Sequence, residues 1–455
     1  MTRLFGTNGI REVVGSPLTP AYVGRIASAI GEVVPPGRPI VVGWDGRTSS
    51  PAFSRIVSST LALQGHRVLE VGLLPTPAIQ YNVPRLGAAA GVIVTASHNP
   101  PEFNGVKCIG PDGLEAPREF EEAVEAAVAR GGDRGAPYDR VGEVDSDHLG
   151  ARRYLDGILA QVDRERVVRR RFSVVLDCAN GAGAVTSPAL LRRLGCRTVT
   201  INGSIDGTFP GHPPEPTEAN LADLRRTVVA LGADLGVAHD GDADRAVFVD
   251  ATGRYVPGEE MLALMGREAV TRHHGGVVVT SISSPFSIEE AIRSAGGTVE
   301  YTKVGSPAIT RAMQDRKAVF GGEDNGGLIL PTFQLARDGA MSLAGLLDLL
   351  AVRERSLPDL LRELPHSTVL KEKIACAVGL REKVMAAAAS KLGAGAERVV
   401  TIDGLKVYRD GGSLLIRPSG TEPLLRVVAE ARDPAAARLL ADRGLATVRE
   451  AIASG

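Results

Sequence analysis

The feature of this sequence that most constrains its fold is a pattern that occurs three times. Each copy runs from an apolar, β-branched segment through a loop of small residues into an amphipathic helix, a glycine and a second strand-like segment. The copies begin with RPIVVGWDGRTSS at residue 38, RFSVVLDCANGAG at residue 171 and GGVVVTSISSPFS at residue 275. This order of elements is typical of α/β units, whose strand-end loops carry the chemistry. The sequence therefore predicts three similar α/β domains in series.

The last part of the chain has a different pattern. After about residue 365, short strand-like runs alternate with D-G and G-G turns, as in VTIDGLKVYRDGGSLLIRP, and an Ala-, Leu- and Arg-rich helix over 434–453 follows. Such spacing predicts an antiparallel meander within a smaller C-terminal α+β domain. The predicted domains cover residues 1–150, 151–252, 253–365 and 366–455, and the polar, Gly-rich segment 130–147 is expected to be the first linker.

The charge balance restricts the possible partners. Lys and Arg total 52 and Asp and Glu total 53, so the chain has no overall field that would attract nucleic acid or an anionic membrane. The four cysteines are widely spaced and form no C-x-x-C, which argues against a zinc site or a disulfide framework. No signal peptide and no membrane-spanning segment is evident. We expect a cytoplasmic protein without nucleic-acid or membrane partners; no feature of the sequence indicates an oligomeric state.

The segment HDGDADRA places Asp240, Asp242 and Asp244 at alternate positions between two apolar runs. Three carboxylates this close repel one another unless a hard cation neutralises them, and oxygen ligands suit Mg²⁺ or Ca²⁺. An EF-hand loop would need Gly and Glu where this chain has Arg245 and Ala251. A solvated acidic turn is the alternative, which the apolar flanks disfavour. The sequence therefore predicts a metal-binding loop.

The segment RPSGTEP has the composition of a phosphate-binding turn. A guanidinium group, hydroxyls and exposed backbone N–H groups together complement an oxyanion. An ordinary β-turn beside a surface arginine is the alternative, because Ser-Gly-Thr turns are common. The candidate phosphate ligands are Arg417, Ser419, Gly420 and Thr421.

The segment GGEDNGGLI sets two carboxylates and an amide between paired glycines. Glycines allow the backbone to present Glu323, Asp324 and Asn325 outward, which suits a ligand rich in hydroxyl groups. A plain acidic turn explains this segment equally well.

The segment TASHNP raises the question of what Ser97 does. Thr95 and Asn99 occupy the glycine positions of a G-x-S-x-G nucleophile elbow, and the adjacent His98 is poorly placed to be the base of a triad. Lys107 lies ten residues further on. A serine that carries phosphate, a lysine that moves a proton and a divalent metal that offsets charge would together make a phosphoryl-transfer site. A strand ending in a polar turn would explain the hexapeptide alone.

Taken in order, TASHNP, DGDADR, a GE-x-x-G loop and RPSGTEP resemble the α-D-phosphohexomutase superfamily. The resemblance extends from FGTNGIR at residues 5–11 to the loop at 417–423. It implies three related α/β domains and a C-terminal α+β domain around a central active-site cleft. It also implies one Mg²⁺ per chain and a phosphoserine enzyme that interconverts hexose 6-phosphate and hexose 1-phosphate. The intermediate would be a hexose 1,6-bisphosphate, which also serves as activator.

The same resemblance assigns roles to individual residues. Ser97 would be the phosphoserine and Lys107 the general acid/base, in a catalytic group that includes His98 and Arg11. Phosphorylated Ser97 would share the metal with Asp240, Asp242 and Asp244. The implied substrate-binding residues are Arg245, Lys303, Glu323, Asn325, Arg417, Ser419, Gly420 and Thr421.

The choice of sugar rests on two local departures from the family pattern. The sugar loop ends in Asn325-Gly326-Gly327, where the common bacterial form ends in Ser-Gly-His, and with ARDGAM at 336–341 it resembles archaeal members of broad sugar choice. FGTNGIR resembles the FGTDGIR of phosphoglucosamine mutases, with Asn8 in place of Asp. We expect glucosamine phosphate as substrate, with phosphomannomutase/phosphoglucomutase activity as the alternative. A metal-dependent sugar phosphatase and a non-catalytic sugar-phosphate binder are rivals from other classes.

Overall fold

The computed structural model describes residues 4–6, 8–131, 135–419 and 423–454. Its first sheet has the strand order β1-β5-β4-β2-β3-β6. The elements are β1 Ile10–Val13, α1 Pro20–Val33, β2 Ile40–Trp44, α2 Ser50–Leu63, β3 Val68–Leu73, α3 Thr76–Arg85, β4 Ala90–Val94, β5 Phe103–Ile109, α4 Arg118–Arg130, a 3₁₀ turn at Tyr138–Arg140 and β6 Val144–Ser146.

The helix that the repeated pattern predicts in this region is α2, Ser50–Leu63. In α2, Phe53, Val57 and Leu61 recur at every fourth position and are buried. Because such residues share one face of a helix, α2 packs that face against the sheet. The segment expected to be a linker differs from the prediction: β6 pairs in parallel with β3 and extends the sheet at its edge.

The second sheet has the order β11-β10-β9-β7-β8. Its region contains α5 Gly150–Leu159, α6 Arg164–Arg170, β7 Ser173–Asp177, a 3₁₀ turn at Ala182–Val185, α7 Ser187–Arg193, β8 Arg197–Ile201, a 3₁₀ turn at Glu218–Leu221, α8 Ala222–Leu231, β9 Leu235–His239, β10 Ala246–Asp250 and β11 Tyr255–Val256.

The third copy of the pattern centres on β12, which pairs in parallel with β13 and β14. The elements here are α9 Gly258–Arg272, β12 Val277–Ser281, α10 Phe286–Ser294, β13 Thr298–Thr302, α11 Ser306–Arg316, β14 Phe320–Gly322, β15 Leu328–Ile329, α12 Gly339–Arg353 and α13 Leu357–Leu361.

The three copies share one topology, as predicted. The central strands β2, β7 and β12 each pair in parallel with the next strand in the chain and with the strand after that. The loops that follow β4, β9 and β14 are therefore in equivalent places. These loops contain TASHNP, DGDADR and the Glu323–Asn325 segment, so the fold places three of the four motifs at one recurring position.

The C-terminal region is the predicted antiparallel meander, extended by one strand. Its sheet has the order β16-β20-β19-β18-β17, and the helix predicted over 434–453 is present with those bounds. The elements are β16 Thr368–Ala375, a 3₁₀ turn at Val378–Leu380, α14 Arg381–Gly393, β17 Arg398–Val400, β18 Leu405–Arg409, β19 Gly412–Pro418, β20 Leu424–Ala431 and α15 Pro434–Ala453.

The chain divides into two compact units. The first consists of Met1–Gly258 and Asn325–Leu361, and the second of Glu259–Asp324 and Arg362–Gly455. Within the first unit, α12 packs against α5, α6 and β10, and it is buried around most of its circumference. Within the second, α14 and α15 pack on the sheet of β16–β20 around an apolar core. Among the described residues, none of the helices combines the length and the apolar character needed to cross a bilayer.

Candidate active site

Ser97 lies in the loop that follows β4, and its backbone is held in an uncommon conformation. Its φ is +53°, a region that serine seldom adopts, and the residue is fully buried. Its N–H donates to Thr95 Oγ1 at 2.8 Å, and its Oγ donates to Asp240 Oδ2 at 3.2 Å. The loop is therefore shaped to direct one hydroxyl at the first carboxylate of the DGDADR motif.

Two buried residues after β2 hold the serine loop in this shape. Asp45 accepts a hydrogen bond from the Thr95 hydroxyl at 2.6 Å and forms an ion pair with Arg47 at 3.2 Å. The Arg47 guanidinium in turn donates to four backbone carbonyls at 2.5–2.8 Å, those of Ser97, Asn99, Pro100 and Phe103. Neither residue was predicted from the sequence. The signal that could have indicated them is the charged pair after an apolar strand in WDGRTSS.

The three aspartates of the metal-binding loop are buried, and one ligand oxygen from each lies within 4.8 Å of the others. The Asp242 Oδ2 atom accepts from Lys107 Nζ at 2.8 Å and from Thr76 Oγ1 at 2.7 Å. Within the described chain, Oδ1 of Asp242 and Oδ1 of Asp244 have no hydrogen-bond partner. Buried carboxylate oxygens are expensive to leave unsatisfied, so the residues present fit a hard divalent cation, bound through the free oxygens.

The charges of this loop also favour a cation. Burial, and then repulsion from Asp244 and Asp242, raises the pKa of Asp240 well above its usual value. Burial acts in the same direction on Asp242, but the ion pair with Lys107 and the hydrogen bonds from Lys107 and Thr76 together lower the pKa of Asp242. The loop therefore holds carboxylates whose mutual repulsion a divalent ion would relieve.

Lys107 and Arg11 reach the site from two neighbouring strands. Lys107 lies on β5, which pairs with β4, and its Nζ is also 3.8 Å from Asp244 Oδ2. Arg11 lies on β1, which pairs with β5, and its Nη1 donates to Asn99 Oδ1 at 3.0 Å. Gly105 lies on β5 opposite Arg11, and a Cβ there would lie 2.1 Å from the Ile10 carbonyl oxygen, so only glycine permits this close pairing.

His98 contacts Ser97 although the sequence analysis expected the adjacent histidine to be poorly placed. Its Nδ1 lies 3.3 Å from Ser97 Oγ and 3.0 Å from Arg245 Nη2, because the left-handed turn at Ser97 brings the two side chains together. Burial, followed by the charges of Arg245 and Arg11, lowers the pKa of His98 to about 2. The ring is therefore neutral and accepts a hydrogen bond from Arg245, and it is too weak a base to take the serine proton.

Arg337 is a further residue of this site that the sequence analysis missed. Its Nη2 donates to Asp244 Oδ2 at 2.5 Å. The next residue, Asp338, begins α12 as its N-cap and accepts from the Met341 N–H at 2.8 Å. The signal in the sequence was the segment ARDGAM, in which an arginine directly precedes the Asp-Gly pair that begins a helix.

The two units divide the predicted sugar loop. In the first unit, Asn325 Oδ1 accepts from the Gly327 N–H at 3.1 Å, so the side chain closes its own turn. In the second unit, Glu323 is buried and Asp324 forms an ion pair with Lys371 at 3.3 Å. The sugar-binding role of Glu323 and Asn325 stays a prediction.

The second unit brings two other predicted residues to one place. Asp403 Oδ2 accepts from Arg417 Nε at 2.7 Å and from the Val304 N–H at 3.1 Å, next to the exposed Lys303. Ser419 is buried, and its N–H donates to the Leu424 carbonyl at 3.0 Å. Asp403 was missed by the sequence analysis, which treated its D-G dipeptide only as a turn. Gly420 and Thr421 lie outside the described residues.

Four family descriptions match successive parts of the chain. These are the alpha/beta/alpha domains I, II and III of phosphoglucomutase/phosphomannomutase, over residues 2–134, 152–253 and 257–368, and the C-terminal domain of the same family over residues 374–446. They support the predicted succession of three α/β domains and a fourth, C-terminal domain.

Known proteins resemble the chain over nearly its full length. A phosphoglucomutase/phosphomannomutase of Thermococcus kodakarensis is 38% identical and is aligned over 99% of this chain and 100% of its own. A probable phosphoglucosamine mutase of Methanopyrus kandleri is 40% identical over 99% of each chain. The crystal structure of a phosphoglucomutase/phosphomannomutase family protein from Burkholderia thailandensis superposes with a TM-score of 0.88 at 28% identity, covering 99% of this chain and 97% of that one.

The predicted family is thereby confirmed. The sequence motifs, the three repeated α/β domains followed by a fourth domain, and the full-length relatives all agree. The chain belongs to the phosphoglucomutase/phosphomannomutase family of the α-D-phosphohexomutase superfamily, whose members are phosphotransferring isomerases.

Proposed function

We propose that the protein is a phosphohexomutase that interconverts hexose 6-phosphate and hexose 1-phosphate through a phosphoserine at Ser97. The observation that carries this proposal is the 3.2 Å approach of Ser97 Oγ to Asp240, within a buried carboxylate triad that leaves two oxygens unsatisfied. A hydroxyl in such a place can carry a phosphoryl group whose charge is offset by a divalent ion. A sugar-binding protein without catalysis would need no such hydroxyl.

In this proposal Asp240, Asp242 and Asp244 hold one Mg²⁺ per chain together with the phosphate on Ser97. The bound ion would supply charge neutralisation for the transferring phosphoryl group. Lys107 already fixes one oxygen of Asp242, so the remaining oxygen would be available to hold the ion. Magnesium fits because every available donor is an oxygen.

The residues around Ser97 then have separate tasks. Ser97 gives its phosphoryl group to the free hydroxyl of a hexose monophosphate, and the other phosphate of the resulting 1,6-bisphosphate returns to Ser97. Lys107 is the general acid/base that moves the proton of the accepting or departing hydroxyl. Arg11 and Arg245 place positive charge beside His98 and Ser97, where the phosphoryl oxygens develop charge in the transition state.

The remaining predicted residues would bind the substrate. We propose that Glu323 and Asn325 bind sugar hydroxyls and that Lys303 also contacts the substrate. The loop of Arg417, Ser419, Gly420 and Thr421 would hold the phosphate that is not transferred. A hexose 1,6-bisphosphate would act as activator because it can restore the phosphate on Ser97.

Glucosamine phosphate is the substrate we propose first. The FGTNGIR segment supports it, as does the similarity to a relative named as a probable phosphoglucosamine mutase. Broad phosphomannomutase/phosphoglucomutase activity is the alternative, which the similarity to the Thermococcus kodakarensis protein supports.

Intact-protein mass spectrometry tests the phosphoserine directly. After incubation with Mg²⁺ and the 1,6-bisphosphate of glucosamine, glucose or mannose, the wild-type protein should gain the mass of one phosphoryl group, located on the peptide that contains Ser97. Ser97→Ala should gain none, whereas Ser54→Ala, a control at a buried serine of α2 away from the site, should behave as wild type. A wild-type protein that gains no phosphate from any of the three bisphosphates would contradict the mechanism.

A further inference from the structure

Arg337 brings a positive charge to the metal-binding loop from outside the motifs that define the family. It lies directly before α12, and Gly339, two residues on, donates its N–H to the Ala243 carbonyl at 3.3 Å. The side chain is 7% exposed, and its guanidinium donates to Asp244 Oδ2 at 2.5 Å. The charge of Arg337 is thus fixed on a carboxylate that the proposed metal also uses.

The Arg337 side chain occupies the space beside Gly327. A Cβ built at Gly327 would lie 2.5 Å from Arg337 Cδ and 3.2 Å from its Cγ. These atoms belong to the middle of the arginine side chain, whose end is held by Asp244, so they cannot move aside without breaking the ion pair. Gly327 does not have a positive φ, so crowding by Arg337, rather than backbone conformation, makes glycine necessary here.

The backbone at Gly327 is also unable to withdraw. The preceding residue, Gly326, accepts from the Ala246 N–H at 3.0 Å, and the Gly327 N–H donates to Asn325 Oδ1 at 3.1 Å. On the other side, the Asp338 N–H donates to the Leu328 carbonyl at 3.0 Å. A side chain at position 327 must therefore displace the arginine, because the loop is fastened on both sides.

Arg337 adds to the positive charge around the three aspartates. Arg245 Nε lies 3.9 Å from Asp244 Oδ1, and Arg11 donates a hydrogen bond to the serine loop. With Lys107, these arginines set four positive charges against the three aspartates of the loop. A site with this balance can hold a divalent ion and still attract an anionic phosphoryl group.

We propose that Arg337 is a positioning residue, held by Asp244, that supplies an additional positive charge to the phosphoryl-transfer site, and that position 327 is glycine because Arg337 fills the space of its Cβ. This inference rests on the proposed function. Removing the charge of Arg337 should therefore have opposite effects on the binding of metal and of phosphate. Arg337 competes with the metal for Asp244, but it attracts phosphate.

The test compares Mn²⁺ affinity, measured by electron paramagnetic resonance, with the steady-state constants of the mutase reaction. Arg337→Met keeps the length of the stem and removes the charge. It should bind Mn²⁺ as tightly as wild type or several-fold more tightly, while kcat/KM falls by about 10- to 100-fold. Arg337→Lys should restore the wild-type Mn²⁺ affinity and part of kcat/KM. Gly327→Ala should change both quantities in the direction of Arg337→Met, and in an Arg337→Ala background it should have little further effect.

The matched control is Gly24→Ala on α1, where a Cβ makes only an ordinary contact at 3.8 Å and both quantities should stay at wild-type values. Weaker Mn²⁺ binding together with lost activity in Arg337→Met would show a merely structural role and overturn the proposal. An unchanged kcat/KM in Arg337→Met, or a Gly327→Ala effect that persists in full in the Arg337→Ala background, would also overturn it. If the wild-type protein has no mutase activity, the proposed function fails, and the Mn²⁺ affinities of the same variants still decide the placement of Arg337.

Discussion

The loops after β4 and β9 occupy equivalent places in two copies of one repeat, yet the protein holds them by different means. The serine loop is held by charge: the Asp45–Arg47 ion pair supplies donors to its carbonyls. The backbone of the metal-binding loop is held by neutral groups, although its carboxylates pair with Lys107 and Arg337. His239 Nδ1 donates to the Arg245 carbonyl at 2.8 Å and its Nε2 accepts from Ser187 at 2.9 Å, and burial lowers the pKa of His239 and keeps the ring uncharged.

The loop after the central strand also differs between the first two copies of the repeat. Asp45 directly follows the central strand β2 and Asp177 is the last residue of β7, and each accepts the N–H of the residue two positions on, at 3.1 and 2.9 Å. Asp45 is paired with Arg47, whereas Asp177 is paired with His212 at 3.2 Å. The repeat thus sets where chemistry can be placed, and side chains that differ between the copies determine what each loop does.

Ser97→Ala should cause the largest loss of mutase activity, and it should affect the serine loop but not the metal-binding loop. Mutase activity is expected to fall by about 10⁴-fold or more, because the group that carries phosphate is gone. Mn²⁺ affinity should stay within several-fold of wild type, since the three aspartates remain in place. Mn²⁺ titration followed by electron paramagnetic resonance measures this difference, and a variant that loses Mn²⁺ binding altogether would show that the two loops cannot be separated.

Asp242→Asn should affect both loops. The substitution removes the carboxylate that Lys107 and Thr76 hold in position, so we expect Mn²⁺ affinity and kcat each to fall by at least about 100-fold. Mg²⁺ should also no longer raise the melting temperature, whereas it should stabilise the wild-type protein by about 2.7 kcal/mol at 100 times its dissociation constant. Differential scanning calorimetry with and without Mg²⁺ checks this. Equal stabilisation of wild type and Asp242→Asn would place the metal elsewhere.

Arg47→Met should reduce stability more than it changes metal binding. Removing one partner of a buried ion pair leaves Asp45 uncompensated and four carbonyls without their donor, for an expected loss of about 3–5 kcal/mol in the free energy of unfolding. The double variant Asp45→Asn/Arg47→Met should recover part of that loss, because no unpaired charge remains. Urea unfolding measures both variants. A double variant that is less stable than Arg47→Met would argue against this explanation.

His212→Gln should have the smallest effect of these substitutions. It should change the free energy of unfolding, and the size of the change should depend on pH. Both ring nitrogens face acceptors, Pro213 O at 2.6 Å and Asp177 Oδ2 at 3.2 Å, which favours the imidazolium form. Burial opposes the charge, but the hydrogen bond and the charge of Asp177 outweigh it and raise the pKa of His212.

A raised pKa in the folded state stabilises the protein below the unfolded pKa of about 6.5, and this stabilisation disappears as pH rises through the folded pKa. His212→Gln should therefore be less stable than wild type in mildly acidic buffer and close to it in alkaline buffer. The loss in Arg47→Met should run the other way and be larger in alkaline buffer, because burial already raises the pKa of Asp45 and removing Arg47 raises it further, so that acid relieves the unpaired charge. Urea unfolding at the two pH values tests the contrast. A pH-independent difference for His212→Gln would contradict it.

The comparison also shows why part of the structure could be predicted. The repeated strands and helices follow local patterns, and the helices end at Gly65, Gly195 and Gly296, whose φ angles of +92°, +71° and +85° only glycine adopts readily. The three aspartates could be predicted as a candidate metal site because they are close in sequence. Arg47 and Arg337 were missed because their partners Ser97 and Asp244 lie 50 and 93 positions away, and no local pattern indicates such pairs. The strand β6 was missed because its polar sequence carries little alternation.

The central claim is that phosphate passes between two positions of one sugar by way of Ser97. Phosphorus NMR of the protein with Mg²⁺, a trace of the matching 1,6-bisphosphate and glucosamine, mannose or glucose 6-phosphate in turn tests it most directly. We expect a hexose 1-phosphate resonance to grow, fastest with glucosamine 6-phosphate, without release of inorganic phosphate. Growth of inorganic phosphate with no 1-phosphate from any of the three sugars would contradict the account and identify a phosphatase.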